Sequence, residues 1–254
     1  MTETQHAPIA LVTGSSRGIG RSTAHALADR GYDVIVTYRT GEAEAHDVVR
    51  AITAKGRAAV ALRLDVADLG SFGAFAEAVR GALAGFGRER FDVLVNNAGI
   101  GGFAPFTEQT EVAFDALFDA HFKGPYFLTQ KLLPWIADGG RIVNLSTGLT
   151  RYVVPGVSVY AAAKAAIESL TRYLAVELGP RRITVNVVAP GGIATDFGGG
   201  VMRDETLQRQ VAADTPLGRV GEPDDVAGVI AALVGAEGRW INGQRIEVTG
   251  GYRL

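Results

Sequence analysis

Ile9-Ala10-Leu11-Val12-Thr13-Gly14-Ser15-Ser16-Arg17-Gly18-Ile19-Gly20 is the stretch on which the fold turns. Its first four residues form an apolar run of buried-strand length, and the glycines that follow mark a tight turn into a helix. The spacing predicts that helix from about Ile19 to Arg30, stopped by Gly31 as a C′ residue, and a second strand over Val34 to Tyr38. A bare Gly-x-x-x-Gly-x-Gly is a weak signal. Between a strand and a helix it gains meaning, because backbone amides and a helix N-terminus converge where a pyrophosphate can sit. A tight turn that binds nothing is the competing reading.

The alternation continues. Val48, Val49 and Ile52 mark a helix, Val60 to Leu64 a strand, Phe72, Phe75, Val79 and Leu83 a helix, and Val93 to Val95 a strand. Val112 to Gln130 reads as one apolar helix containing His121. Ile142 to Leu145 reads as a strand ending at Ser146 and Thr147, then a helix over Ser158 to Gly179 and a strand over Ile183 to Val188. Ile193 to Leu217 reads as a long loop with Gly198-Gly199-Gly200 inside it, either functional or disordered. Pro223 opens a last helix through Val234, and Arg245 to Val248 is the last strand. Asp65-Val66 and Asn96-Asn97-Ala98-Gly99 fall where strands end, the edge of an open parallel sheet at which ligands bind, although the same residues also favour plain turns.

The 254 residues carry a formal net charge of −2 and no cysteine. That length suits one large α/β domain, able to bury roughly three quarters of its unfolded surface. The charges are dispersed, which leaves no electrostatic footprint for nucleic acid. Without cysteine there are no disulfides, thiolate metal sites or Cys nucleophiles, and no metal-ligand cluster surrounds the histidines. Met1 to His6 has neither a basic nor an apolar leader segment, and no apolar run reaches membrane-span length. The expectation is a flexible tail over residues 1–7, a single domain over 8–254 with a substrate loop at 193–217, a cytoplasmic location and no membrane partner. His6, His25 and His46 suggest solvated positions.

Tyr160-Ala161-Ala162-Ala163-Lys164 puts a phenol and an ammonium one helical turn apart on one face. A free phenol titrates near 10, but a neighbouring cation favours the phenolate, so the pair can move protons near neutral pH. A snorkelling Lys beside a half-buried Tyr is the plainer meaning of the same spacing.

Thr13-Gly14-(x)3-Gly18-x-Gly20, Asn96-Asn97-Ala98-Gly99, Tyr160-(x)3-Lys164 and Pro190-Gly191 together resemble the short-chain dehydrogenase/reductase family in order and spacing, over nearly the whole chain. Gly218 to Asp225 and Gly243 to Ile246 are similar to its 3-oxoacyl-[acyl-carrier-protein] reductase branch. The resemblance implies an α/β fold of Rossmann type, a doubly wound seven-stranded parallel sheet with helices on both faces. It also implies hydride exchange between a nicotinamide dinucleotide and a carbonyl or secondary alcohol. By this likeness Tyr160 delivers the proton, and Lys164 holds the nicotinamide ribose and lowers the phenol pKa. Gly14, Ser16, Arg17, Gly18, Ile19 and Gly20 hold the phosphates. Asp65 and Val66 border the adenine, and Asn97, Ala98 and Gly99 the adenosine ribose side. Pro190 and Gly191 follow, and Ile193 and Thr195 meet the carboxamide. Family members commonly form tetramers, here through Val112 to Gln130, Ser158 to Gly179 and Ile246 to Leu254.

Two positions depart from the family pattern. The hydroxyl residue thirteen places before the Tyr is Thr147 rather than Ser, with Ser146 the weaker candidate because it points to the opposite side of an extended strand. His121 stands where the family has a water-holding Asn, either joining the proton relay, since an imidazole titrates near neutrality, or packing as a core histidine. Cofactor choice rests on the end of the second strand, where Tyr38-Arg39-Thr40 offers no acid to grip a ribose 2′-hydroxyl. Arg39 and Arg17 together favour the 2′-phosphate of NADP(H), against a reading of both as solvated surface arginines. An NADP-dependent oxidoreductase acting on a small-molecule ketone or 3-oxoacyl substrate leads. The rival is an NADP(H)-binding sensor or scaffold of weak turnover. Phe103, Phe106, Tyr152, Val153, Val154 and the Gly198 loop suggest an apolar pocket under a mobile lid, or simple packing.

Overall fold

In a computed structural model that describes residues 7–254, Ile9–Val12 (β1) is buried at every position, as a strand covered on both faces must be. Successive side chains leave it on opposite sides. Ala10 and Val12 enter one apolar layer with Leu27 and Ile230, whereas Ile9 and Leu11 enter a second with Phe75, Val79 and Leu128. The other strands are β2 (Asp33–Tyr38), β3 (Ala59–Arg63), β4 (Phe91–Asn96), β5 (Ile136–Leu145), β6 (Thr184–Pro190) and β7 (Arg245–Val248). All pair in parallel in the order β3-β2-β1-β4-β5-β6-β7. The order reverses between β1 and β4, which opens a crevice at the C-terminal edge.

Parallel strands need long crossovers, and helices provide them. These are α1 (Gly18–Asp29), α2 (Glu42–Ala54), α3 (Phe72–Gly85), α4 (Glu111–Phe118), α5 (Gly124–Leu132), α6 (Ser158–Glu177), α7 (Glu205–Ala213) and α8 (Pro223–Val234). The doubly wound seven-stranded sheet is as expected. Among the described residues no helix is long and apolar enough to cross a membrane. Of the expected tail at 1–7, residues 1–6 lie outside the described residues, and His6 with them.

Four local expectations change. Val112 to Gln130 is not one helix, because a π turn at Asp119–Lys123 separates α4 from α5. Pro125 lacks an N–H and its ring collides with the carbonyl four residues back, so the regular ladder breaks there and His121 turns inward. A Cβ on Gly124 would lie 1.9 Å from the Val66 carbonyl oxygen, so only glycine lets the broken helix press on the end of β3. β5 starts at Ile136, earlier than Ile142, with a register shift opposite Phe91–Val93 where Gly139 takes φ 80°. Residues 193–217 contain a real helix, α7, whose N-cap Asp204 accepts from Leu207 N at 2.8 Å. His25 is half-buried rather than solvated, and burial lowers its pKa.

Candidate active site

The glycine loop after β1 is fixed from behind by side chains. Thr13 Oγ1 accepts from the amides of Asn97 at 2.9 Å and Ala98 at 3.0 Å. Asn97 Nδ2 donates to the carbonyls of Thr13 at 2.8 Å and Gly14 at 3.1 Å. Ser15 Oγ donates to Val12 O at 2.8 Å and accepts from Thr37 N at 3.0 Å, lacing β1 to β2. Asn97 therefore spends its amide N–H groups on the loop. A Cβ on Gly20 would lie 2.4 Å from Gly14 O and 2.5 Å from Asn97 Nδ2, so the position admits only glycine.

The same loop leaves a cradle open in front. No side chain caps the start of α1 and its first turn holds no acidic residue, so its free N–H groups and positive dipole end suit an anion. Arg17 and Arg39 are exposed along this edge, with Ser16 buried between β1 and β2. Sequence reasoning missed one group here. Glu44, in the first turn of α2, brings its carboxylate within 3.1 Å of where a Gly41 Cβ would sit, a point that is also 3.3 Å from Ser16 Oγ. Half-buried Asp65 uses Oδ1 to accept from Ala67 N at 3.0 Å, beside buried Val66. Across the crevice Pro190 ends β6, Gly191 approaches Thr249, and Ile193 and Thr195 are buried. A Cβ on Gly18 would lie 3.5 Å from the Thr195 methyl, so the two walls nearly meet. Bare glycine backbone, an uncapped helix start and two exposed guanidiniums fit a phosphorylated dinucleotide.

At the far end β5 and α6 bring the Thr147 and Tyr160 hydroxyls close to one another. Ser146 faces away, donating to Glu168 Oε1 at 2.6 Å. Burial raises the phenol pKa and the nearby Thr147 hydroxyl opposes that rise. Lys164 is buried, donates to Leu145 O at 2.6 Å, and sits with Nζ 5.9 Å from the Tyr160 ring centroid. Desolvation lowers its own pKa to about 7. The ammonium is turned to a backbone carbonyl.

His121 is buried and packs edge-on to Tyr160, with ring centroids 4.9 Å apart. Nε2 lies 2.7 Å from Ile100 O, the geometry of an Nε2–H donor, and the buried Nδ1 has no partner. Desolvation, then the Lys164 charge, lowers its pKa to about 3. The ring is neutral throughout the physiological range, so the expected titration near neutrality does not occur. A Cβ on Gly99 would lie 2.4 Å from His121 Cε1, which explains that glycine by packing.

The Phe197 and Tyr160 ring centroids lie 5.9 Å apart. Phe103, Phe106, Val153 and Val154 are exposed, and Tyr152 is half-buried. Gly198, Gly199 and Gly200 all take positive φ, at 64°, 80° and 78°, between Phe197 and α7. Burial pushes the Tyr152 phenol up to about 12.

A sequence family described as enoyl-(acyl carrier protein) reductase matches residues 14–253. A hydroxynaphthalene reductase-like protein of Metarhizium brunneum is 38% identical over 256 residues, covering 96% of this chain and 94% of its own. The solved structure of LugOII, a promiscuous reductase of keto-reduction at C1 in lugdunomycin biosynthesis, is 38% identical at TM-score 0.92, covering 97% and 98% of the two chains. The landomycin C-6 ketoreductase LanV, solved with bound NADP and rabelomycin, is 37% identical at TM-score 0.88, covering 96% of each chain.

Proposed function

The chain belongs to the short-chain dehydrogenase/reductase family and is an NAD(P)-dependent oxidoreductase, and we propose that it reduces the carbonyl of a flat, apolar ketone with NADPH. The glycine loop, Arg17, Arg39 and the Pro190 to Thr195 wall hold the cofactor, with Tyr160 and Lys164 at its ribose. Once bound, NADPH supplies the hydride. Charge then develops on the substrate oxygen, and Tyr160 gives that oxygen its proton while the Thr147 hydroxyl donates to the same atom. The observation that carries this reading is the proximity of the Thr147 and Tyr160 hydroxyls, brought from two elements to one end of the crevice. Burial keeps the phenol protonated, the form that carbonyl reduction requires and alcohol oxidation does not. Neutral His121 acts as an edge-on support for the Tyr160 ring rather than as a titrating relay.

Phe103, Phe197 and Tyr152 suit a planar substrate, and a hydroxynaphthalene and rabelomycin are what similar proteins are named for or bind. Both points favour the ketone side of the expected substrate range over a 3-oxoacyl thioester. The protein works as a cytoplasmic homotetramer. Exposed Val112, Phe114, Tyr173 and Val176 on α4 and α6 supply an apolar face for that assembly, which light scattering tests. The functional test is NADPH oxidation against fused-ring aromatic ketones, 3-oxoacyl thioesters and enoyl thioesters, with a higher kcat/KM expected for the fused-ring ketones. Tight NADPH binding with no turnover of any member would favour the sensor reading.

A further inference from the structure

The face of α6 that carries Tyr160 and Lys164 continues, one turn on, to Glu168. Only 13% of that side chain is exposed, and its Oε1 accepts three hydrogen bonds: from Ser146 Oγ at 2.6 Å, Thr150 Oγ1 at 2.8 Å and Arg245 Nε at 2.8 Å. The first two donors flank Thr147 in sequence. Arg245, on β7, also donates through Nη2 to Thr147 O at 3.2 Å and to Thr150 Oγ1 at 2.9 Å, and through Nη1 to Glu247 Oε1 at 2.6 Å. The segment bearing Thr147 is thus gripped before and after by a helix-borne carboxylate, and at its own carbonyl by the guanidinium.

We propose that Glu168, with Arg245 as its counter-charge, is a positioning residue that locks the strand end carrying Thr147 to the helix carrying Tyr160. The inference rests on the reading of Thr147 and Tyr160 as joint donors to the substrate oxygen. Those two hydroxyls come from different elements, and a small displacement between them separates their aim. Within its own loop Thr147 Oγ1 has only a long contact, accepting from Leu149 N at 3.3 Å, so the loop alone holds it weakly. A carboxylate taking three donors, one of them charged, is a firm tie. Glu168 touches neither the substrate oxygen nor Tyr160 in this arrangement; it acts through Thr147.

A double-mutant cycle tests this against a role in stability alone. Glu168→Ala and Glu168→Gln are made alone and in a Thr147→Val background, and single-turnover carbonyl reduction at saturating NADPH is measured beside the NADPH dissociation constant. Glu168→Ala should slow hydride transfer by about tenfold to a hundredfold, the scale of a small misplacement, with the NADPH constant unchanged. Glu168→Gln keeps an acceptor oxygen and should recover most of the rate. In the Thr147→Val background neither change should slow the reaction further. Multiplicative losses in that background, or a silent Glu168→Ala, overturn the proposal. Should the alanine variant not fold, Thr150→Ala, which removes one of the three donors to Glu168, carries the same cycle. The crystal structure of the variant that carries the cycle gives a reading independent of turnover: the Thr147 hydroxyl should be less ordered or displaced from Tyr160, and an unmoved, equally ordered Thr147 contradicts the proposal. If instead Tyr160→Phe keeps its rate, the functional reading falls by itself, and the crystallographic result still judges the tie.

Discussion

Removing the Thr147 hydroxyl as Thr147→Val leaves the side-chain shape and deletes one donor at the reacting oxygen. Losing one such donor costs about a hundredfold to a thousandfold in rate, or about 3–4 kcal/mol of transition-state stabilisation. The stability cost is smaller. The hydroxyl accepts one long bond from Leu149 N, so about 1 kcal/mol is expected, which for a chain of this size lowers Tm by about 2–4 °C. Ser146→Ala should behave in the opposite way. It deletes a 2.6 Å bond to a carboxylate, for about 1.5–3 kcal/mol of stability, while costing only a few-fold in rate through loosened support of Thr147. Thr147→Ser keeps the donor and should stay close to wild type. Stopped-flow NADPH oxidation and thermal melts of the three variants give the two rankings. A silent Thr147→Val beside a hundredfold slower Ser146→Ala would refute the assignment and move the donor by one residue.

Arg39→Asp should reverse a preference for NADPH over NADH, read by fluorescence titration at moderate salt, and Glu44→Gln should tighten NADPH by removing a carboxylate near Ser16. Gly20→Ala should abolish dinucleotide binding, because its methyl would fall 2.4 Å from Gly14 O; unchanged affinity by the same titration would contradict the cradle. With Lys164 near pKa 7 it is cationic below that pH and neutral above, so kcat/KM for NADPH should fall as pH rises through about 7. His121, near 3, does not titrate in that window, so the limb should persist in His121→Asn and vanish in Lys164→Met.

The sheet was legible because its strands are apolar runs buried on both faces, as Ile9–Val12 and Phe91–Asn96 are, and because glycine loops and caps mark their ends. The break at His121 was harder to read, although Gly124-Pro125 carries the cause, since a proline early in a new helix and a proline inside an old one look alike in sequence. Tyr160 stood out through its spacing from Lys164, a local property, and Thr147 through the resemblance to the family pattern. Glu168 was partly visible, four residues beyond Lys164, but its partner Arg245 lies 77 residues further on and only the β6–β7 pairing brings them together. The direction of the Lys164 and His121 pKa shifts was invisible for a related reason: burial sets both, and burial is a property of the packed domain.

Tyr160→Phe is the most direct measurement. It deletes one oxygen and leaves the ring against His121 and Phe197, so the pocket keeps its shape. Single-turnover hydride transfer from NADPH to a fused-ring ketone should fall by about a hundredfold or more while the NADPH dissociation constant holds. A variant that transfers hydride at the wild-type rate would place the proton donor elsewhere and contradict the account.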